Sequence, residues 1–192
     1  MRGTLHPYQP FVIGYDSRFG DKQSHKAAAR CFQSLRNHTF DGEKQLYQYK
    51  PALNHPIQSA YDLRHNGGIL MSLADTIEQM DIQLYEHYRV LADLFLELTR
   101  GLIPYRNKMG LFARDIINPD SKPDADGNRM VAYALFKGVR LGLLDEEKYL
   151  PMAQDLMTTA NHHFGACVSA DYPGQLSFGL MAEAERMEVE KR

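Results

Sequence analysis

The sequence predicts an all-α fold built from helical hairpins in series. Three observations point there: apolar residues recur at helical spacing over most of the chain, the joints between them are rich in turn residues, and alternating strand-like stretches are short and few. With 44% hydrophobic and 24% charged residues over 192 positions, the chain has material for a buried core and reads as a single helical domain, residues 1–192.

Residues 5–16 read as a first helix, which Pro7 and Pro10 push to a start near Pro10, because proline has no N–H to donate within a helix. After the turn Arg18-Phe19-Gly20-Asp21, Gln23–Leu35 forms a second. Gly68–Met80 carries Ile69, Leu70, Leu73, Ile77 and Met80 on a helical face. The clearest period lies between Gln83 and Leu102. Leu84, Leu91 and Leu98 make one row there, and Tyr88, Phe95 and Leu102 a second beside it. The short joint Met80-Asp81-Ile82 folds these two helices into a hairpin. Met130, Tyr133, Ala134 and Val139 line the next helix, which Gly142 ends. Asp145 caps another, with Pro151 in its early part and Ala153, Leu156, Met157 and Ala160 facing inward. Residues 176–192 form a last amphipathic helix, with Leu180, Met181, Ala184 and Met187 on one side, able to cap a hairpin edge. Thr39–Glu43, Lys50–Pro56, Asn107–Gly110, Asn118–Asn128 and Ser169–Gly174 are loops, and Gln45–Tyr49 and Leu111–Ile117 short extended pieces. No tight repeat of the tetratricopeptide or ankyrin kind is visible.

The formal net charge is −2 with scattered Lys and Arg, which argues against a nucleic-acid partner. No apolar run is long enough for a membrane span and no apolar leader follows Met1, so the expected compartment is the cytoplasm. Cys31 and Cys167 read as reduced thiols. No cofactor or metal is expected. Gly67-Gly68 lacks the G-K-[ST] of a phosphate loop, and Asp124-Ala125-Asp126-Gly127 lacks the rest of a calcium ladder. His162 and His163 are adjacent and point apart on a helix.

The run Tyr133-Ala134-Leu135-Phe136-Lys137-Gly138-Val139-Arg140-Leu141-Gly142-Leu143-Leu144 resembles a segment of glycoside hydrolase families 88 and 105, the unsaturated glucuronyl and rhamnogalacturonyl hydrolases. Arg64-His65-Asn66-Gly67-Gly68 resembles their W-x-R-G-N-G-W motif. Pro10-Phe11, Gly20-Asp21 and Leu46-Tyr47-Gln48-Tyr49 resemble their P-F, t-G-D and G-L-y-H-x-y series, in the same order. The likeness covers about residues 3–165 and corresponds to the family's C-terminal half. It implies an (α/α)6 toroid present as a partial barrel. It also implies hydration of an unsaturated uronic acid, with an Asp as general acid and base.

Counting back from Pro10 puts Gly3 where that Asp stands. Asp62 and Gly68 replace the two Trp positions, Gln48 the His, and Asp124–Met130 departs from the family's E-t-S-a-t-a-M segment. The resemblance thus implies a divergent hydrolase acting on oligosaccharides. Its alternatives are a non-catalytic remnant that binds sugar or protein, or one part of a split or truncated hydrolase.

The candidate substrate-binding residues are Arg64, His65, Asn66, Gln48 and Asp124. Arg64 can grip a carboxylate with two parallel hydrogen bonds, which suits an oligosaccharide containing uronic acid. It can equally pair with Asp62 or cap a helix. Asn66-Gly67 also reads as a turn before the helix at Gly68. Asp124 and Asp126 read either as a carboxylate pair with divided acid and base roles or, with Asp120, as solvated loop acids. Wide apolar stripes on the hairpins predict a homodimer or a partner chain along an open edge.

Overall fold

The computed structural model describes residues 5–49, 59–118, 120–165 and 173–191. Among them are α1 (Leu5–Phe19), α2 (Gln23–Thr39), β1 (Phe40–Asp41), β2 (Leu46–Tyr47), α3 (Leu63–Gln79) and α4 (Tyr85–Leu102). A 3-10 turn (Ile103–Tyr105), α5 (Ala125–Arg140), α6 (Glu146–Phe164) and α7 (Pro173–Glu190) follow. The two strands form an antiparallel ribbon, with Phe40 opposite Tyr47 and Asp41 opposite Leu46. No helix among the described residues is long and apolar enough to cross a membrane.

The helices sort into two rows. α1 packs on α3, α3 on α5 and α5 on α7, so alternate helices form an inner row. α2, α4 and α6 back them, each against the inner helix before it. α5 lies between two inner neighbours and a backing helix, and every residue from Asp126 to Val139 is buried. α4 needs only one apolar stripe, and Leu91, Leu94, Phe95, Leu98 and Leu102 supply it.

Because α5 has no free face, its polar residues must be satisfied inside. Lys137 reaches Asp75 at 2.6 Å and Glu78 at 2.8 Å on α3, and receives a third carboxylate, Glu185, from α7 at 3.5 Å. The Tyr133 hydroxyl donates to Asp75 at 2.5 Å, and Arg140 pairs with Glu78 and Glu185. Burial pulls the Lys137 ammonium down, but Asp75 and Tyr133 outweigh it and hold the group above its ordinary range. Three inner helices are thereby cross-linked by charge where an apolar seam would slide.

Several boundaries differ from expectation, each for a local reason. α3 starts at Leu63, so Asn66 and Gly67 lie inside the helix and not in a turn: the Asp62 carboxylate accepts from the His65 N–H at 3.0 Å and moves the cap upstream. α5 starts at Ala125, which ends the expected loop 118–128 early, because Asp124 accepts from the Gly127 N–H at 2.8 Å. α1 runs back to Leu5 and takes Pro10 within it, giving up one backbone hydrogen bond. The Asp145 cap on α6 stands as expected, bonded to the Lys148 N–H at 2.9 Å, and Gly142 follows α5 at φ +70°. Cys31 is a free thiol, whereas Cys167 and Gly3 lie outside the described residues.

Candidate sugar-binding site at the starts of two inner helices

α3 and α5 begin with the same device. In each, an Asp caps the helix and an Asn four residues later clamps an extended segment. Asn66 Oδ1 accepts from the Tyr47 N–H at 2.8 Å, while its amide donates to the Tyr47 carbonyl at 2.9 Å and to Asp62 O at 3.1 Å. Asn128 repeats this on Phe112, at 2.8 and 2.9 Å, and on Asp124 O at 2.7 Å. Each clamped aromatic follows a leucine and a residue at positive φ, Gln45 at 57° and Gly110 at 80°.

The two starts are also tied to each other. The Leu63 N–H donates to the Arg114 carbonyl at 2.8 Å, and Asp62 bridges Asp115. Gly127 has no room for a Cβ, which would fall 2.5 Å from the Leu63 side chain. The helix starts therefore pack side by side and present their polar residues together.

Arg64 spans the gap. Its Nε donates to both oxygens of Asp124, at 2.8 and 2.9 Å, and a terminal nitrogen reaches Asp126 Oδ2 at 3.1 Å. The bond to Asp124 lifts the guanidinium above its ordinary range. Burial raises the Asp126 carboxyl, with Arg64 opposing it, and burial lowers the His65 imidazole. The His65 ring stands edge-on to Tyr49, with centroids 5.2 Å apart. Three buried polar atoms here have no hydrogen-bond partner: Asp126 Oδ1, His65 Nε2 and Arg129 Nε.

Of the five expected site residues, Arg64 and Asp124 come together, while His65, next to Arg64 on α3, packs on Tyr49. Arg64 pairs not with Asp62 but with Asp124 and Asp126. Asp124 and Asp126 are buried, so they are not the solvated loop acids that the turn-rich sequence suggested; Asp120 is exposed. Asn66 is fully buried and committed to backbone, so it shapes the site from behind. The Gln48 amide is committed to Asp41 at 3.3 Å and to the Tyr61 hydroxyl at 3.1 Å. Arg129 and Tyr49 were not singled out from the sequence. The i, i+3 spacing of Asp126 and Arg129 on one helix face was the available signal. Among the described residues no group of His, Cys, Asp and Glu could hold a metal ion.

The sequence profile described as Glycosyl Hydrolase Family 88 matches residues 4–171. The chain belongs to glycosyl hydrolase family 88. A curated relative, the unsaturated 3S-rhamnoglycuronyl hydrolase of Formosa agariphila, is 30% identical over 90 residues, which are 46% of this chain and 24% of that protein. Among solved structures, the family 105 glycoside hydrolase of C. acetobutylicum superposes with a TM-score of 0.82 at 19% identity, over 96% of this chain and 64% of that one. The family 88 glycosyl hydrolase of Bacteroides vulgatus gives 0.77 at 15%, over 97% and 61%. This family 88 chain thus has the helical-hairpin architecture of an (α/α)6 toroid. It spans a quarter of the curated relative and under two thirds of these solved chains.

Proposed function

We propose that this family 88 chain binds oligosaccharides bearing an acidic sugar at the paired starts of α3 and α5, and that it does not itself carry the family's hydration chemistry. One observation supports the binding half above all: Arg64, Asp124 and Asp126 converge where two inner helices begin, and Asp126 Oδ1 is buried there without a partner. A sugar supplies alternating donors and acceptors that such atoms need. Tyr49, 43% exposed, offers an aromatic ring against His65, the neighbour of Arg64. The catalytic half rests on the sequence resemblance, which puts Gly3 at the position of the proton-transferring Asp, and glycine transfers no proton. Such a group contributes about 10²–10⁴-fold.

The test follows the conjugated enol-uronate absorbance of an unsaturated uronyl disaccharide with time. No loss above the uncatalysed background is expected from the chain alone. Turnover that vanishes on Asp126→Asn, with helicity unchanged, would reverse the reading and place the acid on α5.

A second reading, one part of a toroid completed by another chain, has its own support. Phe11, Tyr15 and Phe19 line one exposed face of α1, and Leu180 and Met187 one of α7. These are the two ends of the inner row.

A further inference from the structure

If the α3–α5 end is the sugar site, its anion grip need not be the arginine at the family motif. Arg64 is already neutralised. Two carboxylates of its own chain hold it, one of them through both oxygens. A sugar carboxylate reaching its other terminal N–H groups would meet the negative charge of Asp124 and Asp126, which offsets much of the attraction.

Arg129 is in the opposite state. It sits in the second turn of α5, 4% exposed, and among the described residues no carboxylate lies within ion-pair distance of it. Among the described residues its one hydrogen bond runs from a terminal nitrogen to the Gly165 carbonyl at 2.9 Å, at the C-terminal end of α6, where the helix dipole offers partial negative charge. Its Nε has no partner. Asp126, one turn earlier on the same face, acts on it through space and turns its second oxygen to Arg64. A buried guanidinium held by one carbonyl is costly, and an incoming anion relieves that cost. The unpartnered Asp126 Oδ1, close by, suits a hydroxyl donor next to the anion.

We propose that Arg129 is the residue of this site that binds the acidic group of the ligand, a carboxylate with a neighbouring hydroxyl as in a saturated sugar acid, while Arg64 fixes Asp124 and Asp126 in place. Arg129 is thus the specificity-determining residue and Arg64 a positioning one.

The experiment titrates the isotope-labelled chain with D-galacturonate, and with D-galactose as the neutral control, following backbone amide shifts. Galacturonate is expected to shift amides in 63–66 and 124–131 and to bind more tightly than galactose. Arg129→Met should lose about tenfold or more of the galacturonate affinity, bringing it down to that of galactose. Its melting point should stay level or rise, because an unpaired buried charge has been removed. Arg64→Gln should weaken galacturonate and galactose alike, leaving the ratio of the two affinities within about threefold of that of the wild type. Should the Met variant fail to fold, Arg129→Gln, which keeps a donor for Gly165, reads the same loss. Arg129 variants that bind galacturonate like the wild type, or an Arg64→Gln variant that alone loses it, overturn the proposal. Galactose and galacturonate binding equally at these amides would sink the Arg129 proposal while leaving the sugar site standing. Shifts confined elsewhere would sink both.

Discussion

Asn66 and Asn128 each close three hydrogen bonds to backbone, a buried double clamp on an extended residue and one bond to the capping Asp. Replacing either by Ala leaves an N–H and a carbonyl of the clamped residue unpaired inside the protein. A loss of about 2–4 kcal/mol is expected, read as a lower urea midpoint at unchanged slope. Asn66→Asp should fare little better, since a carboxylate has no N–H for the Tyr47 carbonyl. A change below about 0.5 kcal/mol in both Ala variants would show that other contacts hold the segments. His25 makes a different prediction. It is fully buried, within 3.0 Å of both Ser17 Oγ and Met80 Sδ, and burial depresses its pKa against the pull of Asp16 and Asp81. The unfolded chain therefore takes up the proton first. Stability present above the ordinary imidazole value of about 6.5 is lost as pH falls below it. His65 adds to the same slope, while Asp126, its pKa raised, works against it at lower pH. Urea midpoints should drop between pH 7.5 and 5.5, and His25→Gln should flatten the difference.

Helices make contact through their smallest residues, and two glycines separate packing from propensity. A Cβ on Gly101 of α4 would lie 2.1 Å from the Gln45 carbonyl oxygen, a backbone atom that cannot swing aside. Gly101→Ala should cost about 1–3 kcal/mol or more. Gly68 of α3 has nothing within 4 Å of such a Cβ, so Gly68→Ala should gain about 0.5–1 kcal/mol from helix propensity alone. Thermal midpoints moving in the same direction for both would refute this account. The same contrast explains what could be read from the sequence. The row Leu84, Leu91, Leu98 and the Asp145 cap announce α4 and α6, because period and cap are local properties. α3 starts five residues before the Gly68 that the sequence suggests, because Gly67-Gly68 looks like a breaker while Gly67 in fact makes room for Met130 and Val131 of α5. The Arg64–Asp124 pair joins residues 60 positions apart and leaves no local trace. The paired Asp-x-x-x-Asn spacing, at Asp62 and Asp124, was visible, but its meaning depended on the clamped Tyr47 and Phe112.

Four inner helices packed in one row leave two outer members with a single inner neighbour each, α1 and α7. Their exposed stripes, Phe11 at 73%, Phe19 at 74% and Leu180 at 59%, are of the kind that marks partner surfaces. Light scattering at micromolar concentration should therefore show species larger than the 22.0 kDa monomer. Phe11→Ser combined with Phe19→Ser should shift them toward monomer. A strictly monomeric full chain, with association only in a chain ending at Gln175, would instead show α7 covering an edge. The linear order of the row also sets how the protein breathes. Each inner helix is braced by the next, as in a stacked-repeat protein, so opening begins at the outer members and works inward. Amide deuterium uptake should be fastest in α1 and α7 and slowest in α5, where Lys137 is held from both sides. The helix starts that hold Arg64 and Arg129 lie in the slow half of that gradient. A ligand held there would meet a rigid floor, with the motion left to the rim.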